Sequence, residues 1–445
     1  MTKSLDLNIP DDNRLKLIKN WLLLAIFSLA AAGIYSLPPV ILRGSYFADK
    51  FDVEHIFATA LVVHVDLSVV VWFLSIAGAL WSLLACPAYY KLNRTCFVLA
   101  AVGTALITIA PFIGESNPLK NNYVPVLQNP TFMIGLSIFA TGILFKVFLT
   151  LAMFERVKEG LLSAAIYISA LITAISALCF YIAHHMTPVP TDGDFLHYYE
   201  TIFWGGGHVL QYTFTACMLV IWVWLASVCN IKQLLPNKVI FVFLALNLII
   251  TIPSPLFYMS DNVFHLFTQQ MRHGGGLSAL FIGGAIIFGA LSSKMAKDIP
   301  HAIKASLILS IILFGYGGVL GYMISGVNVT IPAHYHGSIV AVTLCFIAFC
   351  YYMLPKVGYS PIKGKIATAQ PYIYGVGQIL HITGLAWMGG YGALRKSAAS
   401  SHEITNIFPK LMFFAGGSMA ILGGLLFIIV AFCSIAKKQK NNNVT

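Results

Sequence analysis

The chain reads as an all-α, polytopic membrane protein of twelve transmembrane helices, on three observations. Of its 445 residues 58% are apolar, only 10% are charged, and the mean hydropathy is +0.81. A soluble domain carries about a quarter charged residues, so an ordinary globule is excluded, and so apolar a chain is not a disordered one. The apolar residues fall into runs of the roughly 20 residues that a bilayer-spanning helix needs. The third observation is the loops, which are short and marked by turn formers such as Asn117-Pro118 and Pro188-Val189-Pro190.

Taken in order, the expected spans are about 20–43, 55–85, 93–114, 129–152, 160–185, 200–229, 237–258, 274–293, 303–325, 331–355, 370–394 and 407–435. They predict one membrane domain over 20–435, with an N-terminal tail of 1–19 and a C-terminal tail of 436–445. The first apolar run is too long, and follows too mixed a tail, for a cleavable signal. Eight cysteines contain neither CxxC nor CxxCH, which argues against zinc ribbons, covalent c-type haem and a disulfide scaffold.

Basic residues orient the chain. With both termini cytoplasmic, 20 of the 27 Lys and Arg fall on the inner side, Lys146 among them, while acids lean outward. The net charge of +11 is therefore topological. It implies contact with anionic membrane lipid and no nucleic-acid partner.

Thirteen histidines stand out in so apolar a sequence. His64 in span two, His208 in span six, His265 just beyond span seven, and His334 and His336 at the start of span ten are all expected near the outer third of the bilayer. His184, His185, His197 and His273 also fall toward that face, whereas His55, His301, His381 and His402 read as ordinary interface histidines. In Ala333-His334-Tyr335-His336 the two imidazoles point about 200° apart on a helix, so one helix can ligate two planar cofactors. Neutral imidazole is a common axial ligand of haem iron, and His64 can supply the opposite ligand of one haem. His208 and Tyr212, four residues apart, share a helix face and suit joint delivery of an electron and a proton. The preceding Gly205-Gly206-Gly207 permits close approach of a bulky planar group or another backbone. Asp66 is the one acid deep in a span, where a charge costs a few kcal/mol; it calls for a partner or a proton role. Trp204 is the tryptophan expected to line a cofactor pocket.

These residues resemble the catalytic subunit I of the haem-copper oxidases, which includes oxygen-reducing terminal oxidases and nitric oxide reductase relatives. The resemblance spans nearly the whole chain. It implies that His64 and His336 bind a low-spin haem, His334 a high-spin haem, and His208 and His265 a distal copper, with Tyr212 as the catalytic tyrosine. The chain departs from the family where a second copper histidine is expected, at Phe264, and at Leu210, Gly326-Val327 and Gly390-Tyr391, with Arg395-Lys396 a turn further on. The implied activity is reduction of dioxygen to water in a bacterial inner (plasma) membrane. Electrons come from a subunit or cytochrome on the outer side, and the resemblance admits coupling to proton translocation. Nitric oxide reduction, electron transfer without the copper, and a proton-coupled secondary transporter are the competing readings.

Overall fold

The computed structural model describes residues 5, 7–38, 52–326, 328–390 and 407–437. Val327, Tyr391, Arg395, Lys396 and His402, which entered the expectations above, lie outside the described residues. The helices are α1 (Asn13–Tyr35), α2 (Val53–Leu83), α3 (Tyr90–Ile109), α4 (Pro130–Leu151), α5 (Leu161–Met186), α6 (Phe195–Val228), α7 (Asn237–Thr251), α8 (Val263–Leu291), α9 (His301–Tyr322), α10 (Thr330–Lys356), α11 (Lys365–Gly390) and α12 (Ile407–Ala436). Among the described residues eleven helices are long and apolar enough to cross a membrane. The remaining expected span, 370–394, corresponds to α11, 26 residues long, whose interior carries Pro371, Gln370, Gln378 and His381. Helices dominate because hydrocarbon offers no hydrogen bonds, and only a helix or a closed barrel satisfies its own backbone there.

Local chemistry sets the helix starts. Asp12 caps α1 by accepting from Arg14 N at 2.8 Å, Asp52 caps α2 through His55 N at 3.1 Å, and Asn129 caps α4 through Phe132 N at 3.1 Å, with Pro130 in the first turn. The α8 segment starts earlier than expected. His265 lies inside a first helical piece, Val263–Gly274, joined through Gly275-Gly276 to Leu277–Leu291.

By contacts the chain divides into two compact units. One holds Leu7–Val220 and Asn237–Gly275, and the other Ile221–Pro236 and the residues described from Gly276 onward. In the second unit α11 and α12 meet at glycines. A Cβ at Gly377 would come within 2.6 Å of Met419 Cβ, and one at Gly384 within 2.6 Å of Phe413 N. Gly416 and Gly423 answer from α12, against His381 and Tyr374. Seven-residue spacing on both helices keeps these small residues on one face, which is how spans approach closely in lipid.

In the first unit, α2 is α-helical except for a π-helical turn over Asp66–Val71. Lys146, counted above among inner-side basic residues, is fully buried in α4, its Nζ donating to Asn93 Oδ1 of α3 at 2.6 Å. Between α3 and α4 the chain forms a small hairpin, β1 (Asn117–Leu119) and β2 (Val126–Gln128), antiparallel with Asn117 opposite Gln128. Its tip is pinned to α6, where Glu200 accepts from Asn122 N at 2.7 Å and from Asn122 Nδ2. Asn121 Nδ2 donates to Val124 O at 2.6 Å, and Tyr123 between them has φ +66°.

Two predictions follow from these contacts. Asn93→Leu strips the buried ammonium of its acceptor, a loss of about 1–3 kcal/mol or more. It should lower the thermal unfolding midpoint of the detergent-solubilised protein, and the further change Lys146→Met should restore most of it; a double variant no more stable than the single one would refute the pairing. Glu200→Ala removes charge-assisted bonds of about 1.5–3 kcal/mol each, so amide exchange across 117–128 should accelerate about tenfold or more. Unchanged exchange would show that the tip is held otherwise.

Candidate haem and distal site

In the first unit, α6 presents His208, buried with 3% of its surface exposed. Its Nδ1 lies 2.8 Å from the Trp204 carbonyl. A carbonyl can only accept, so Nδ1 carries the proton and Nε2 the lone pair. That lone pair is taken: Tyr123 Oη donates to Nε2 at 2.8 Å. The imidazole is walled by Trp204, at 4.8 Å between ring centroids, Tyr123 at 4.6 Å and Phe267 at 6.0 Å.

The glycine run before His208 serves side chains of the protein. A Cβ at Gly205 would collide with the Tyr258 hydroxyl and the Phe267 ring, at Gly206 with the Phe180 ring, and at Gly207 with Tyr123. Tyr212, one turn after His208, is fully buried and donates to Gln270 O at 2.7 Å. The α8 carbonyl therefore holds its hydroxyl, in a cluster with Phe267 and Tyr258.

His265 is exposed on α8. Its neighbour Phe264 lays its ring 4.9 Å from that of Trp204, whose Nε1 donates to Phe264 O at 3.2 Å. Trp204 thus stands between His208 and Phe264. His273 is exposed and pairs with Gln269 Oε1 at 2.9 Å; His184, His185 and His197 are exposed as well. Among the described residues no three His, Cys, Asp or Glu side chains gather into a metal-holding group.

His64 of α2 is half-buried, and its Nδ1 donates to Ala32 O of α1 at 2.8 Å. The ring is thereby fixed with Nε2 as its lone-pair nitrogen. Asp66, two residues on, is fully buried where the helix widens, and neither of its carboxylate oxygens meets a hydrogen-bond partner among the described residues. π-helical turns recur at functional sites because the inserted residue re-aims the side chains around it.

The second unit carries the His-x-His of α10. His334 faces α9, with Nδ1 donating to Gly317 O at 2.7 Å. A Cβ on Gly321 would stand 2.7 Å from that nitrogen, so this glycine makes room for the ring. His336 faces α11, its ring 5.4 Å from that of His381 and nearly perpendicular to it. The two imidazoles do take opposite sides of one helix, as their spacing requires. His381, read above as an ordinary interface residue, packs between α11 and α12 beside His336. Its Nδ1 donates to Phe413 O at 3.0 Å and its ring stacks on Phe413.

Comparison with known proteins gives the family. Residues 16–421 match the model of the family described as Cytochrome C and Quinol oxidase polypeptide I. An uncharacterised protein of Rickettsia prowazekii (strain Madrid E) is 29% identical over 92% of this chain and 94% of its own length. An uncharacterised protein of Aquifex aeolicus (strain VF5) is 27% identical over 79% of this chain and 88% of its own. Among solved structures, a haem-copper terminal oxidase dimer superposes with a TM-score of 0.73 at 16% identity, covering 96% of this chain and 84% of that one. That likeness speaks to the fold, and the match over residues 16–421 speaks to descent: the chain belongs to the cytochrome c and quinol oxidase polypeptide I family.

Proposed function

We propose that this chain is the haem-bearing catalytic subunit of a terminal oxidase that reduces dioxygen to water. The family supports an oxidoreductase subunit of terminal-oxidase type. The observation that carries the finer reading is the hydrogen bonding of His64 and His334. Each gives its Nδ1 proton to a helix carbonyl, Ala32 O or Gly317 O, and so offers Nε2 as an iron ligand. Such a bond fixes the tautomer and orientation of a metal-ligating histidine.

In this reading His64 and His336 would be ligands of a low-spin haem and His334 the ligand of a high-spin haem. Bound iron porphyrin supplies electron transfer and the binding and reduction of dioxygen. The chain's own groups do the positioning. Gly321 admits the His334 ring, the Phe413 carbonyl orients His381 beside His336, and Tyr212 keeps its proton on Oη against Gln270 O. Electrons arrive from a partner subunit or cytochrome on the outer side of a bacterial inner membrane, with both termini cytoplasmic.

A distal copper does not fit the donors that the chain offers. Of the two expected ligands, His208 has both nitrogens engaged and His265 is exposed. The same observation favours one second reading, electron transfer through the haems without a distal metal.

A reduced-minus-oxidised spectrum of the purified protein should show two haems per chain. His64→Ala should abolish the low-spin signal and leave carbon monoxide binding at the other haem intact. Loss of carbon monoxide binding instead would reverse the assignment, and a colourless protein would end it. Oxygen uptake with an artificial electron donor separates the two readings, since the electron-transfer reading allows none.

A further inference from the structure

The residue on His208 is as informative as His208 itself. Tyr123 comes from the tip of the β1–β2 hairpin, 85 positions earlier in the chain. Its φ of +66° lies in the left-handed region, which is unfavourable for a bulky side chain. That conformation is held from several directions. Asn122 on one side is clamped by both Glu200 oxygens, Asn121 ties the tip to Val124 O, and Gly207 lacks the Cβ that would strike the tyrosine. Backbone strain kept in place by several contacts is characteristic of functional sites. Here it serves to bring one phenol hydroxyl to one imidazole nitrogen.

We propose that Tyr123 replaces the distal metal: its hydroxyl occupies the coordinating position of His208, and this chain's distal pocket is copper-free by construction. The proposal deepens the oxidase-type reading and rests on it for the meaning of "distal".

Three features of the first unit agree. Nε2 is the one nitrogen of His208 with a lone pair, and it accepts from Tyr123. The space around the ring is lined by aromatic carbon, from Trp204 and Phe267, with Phe264 tilted against Trp204. Copper prefers several nitrogen or sulfur donors in a defined geometry, and among the described residues no third His, Cys, Asp or Glu joins a candidate pair. What remains is a neutral donor–acceptor pair, Tyr123 O–H to His208 Nε2. It presents a hydroxyl oxygen to the pocket where the family presents a cation.

The test uses the full-length protein purified with its haems from copper-replete cells. Metal analysis should find iron with copper well below one atom per chain. One copper per chain, lost in His208→Ala or in Tyr123→Phe, would overturn the proposal and make those side chains ligands. Solid-state NMR of protein labelled with ¹⁵N-histidine supplies a second readout, independent of activity and of haem. The His208 Nε2 resonance, identified by its loss in His208→Gln, should move toward the position of a free unprotonated ring nitrogen in Tyr123→Phe. No movement would mean that the phenol does not hold that nitrogen, and would overturn the proposal as well. A preparation without iron defeats the haem reading, while the NMR comparison still decides the tyrosine–histidine pair.

Discussion

Four histidines in this chain repeat one interaction, an Nδ1–H donated to a backbone carbonyl: His64 to Ala32, His208 to Trp204, His334 to Gly317 and His381 to Phe413. The bond chooses the tautomer, locks the ring and leaves a single basic nitrogen. Each carbonyl already belongs to a helix, so the ring inherits the rigidity of the bundle. A flexible imidazole on a lipid-facing helix would lose that nitrogen to solvent or to a neighbouring hydroxyl. In a protein whose apolar interior offers few other acceptors, helix carbonyls are the means by which polar rings are aimed. Where the acceptor comes from another helix, as with Ala32, Gly317 and Phe413, the ring also ties two spans together.

The fold was largely legible because hydrophobic length is a strong signal. Eleven of the expected spans reappear as long apolar helices. The remaining one, 370–394, corresponds to α11, whose interior carries Gln370, Pro371, Gln378 and His381. His334 and His336 were legible for a geometric reason, since a two-residue spacing on a helix forces opposite faces whatever surrounds it. Tyr123 was not. It sits in a loop, and no periodicity links a loop residue to a helix 85 positions away. The glycine run hinted at a bulky neighbour but could not say that the rings would be Tyr123, Phe180, Phe267 and Tyr258. Lys146 was legible as a basic residue near the end of an apolar run, where a lysine ordinarily anchors the helix at the membrane surface, but its burial against Asn93 was not.

Asp66 and the π turn show the same limit from another side. The acid was conspicuous in the sequence as a charge out of place. That its carboxylate would meet no hydrogen-bond partner among the described residues, at the point where α2 widens, depends on the packing of α1 and α2. A buried polar group in that condition is costly unless function retains it. It stands two residues from His64, where the helix already departs from regular geometry.

The Lys146–Asn93 bond also bears on how the protein is made. A lone ammonium buried within a membrane helix resists partition into lipid, and α4 carries one inward. Its acceptor lies on α3, the helix synthesised just before it. The two helices therefore have reason to leave the insertion machinery as a hairpin, the earlier one waiting with its amide until the later one arrives. The order of the genetic message thus becomes part of the solution to an electrostatic problem, and this stretch of chain is poorly suited to being cut between its third and fourth crossings.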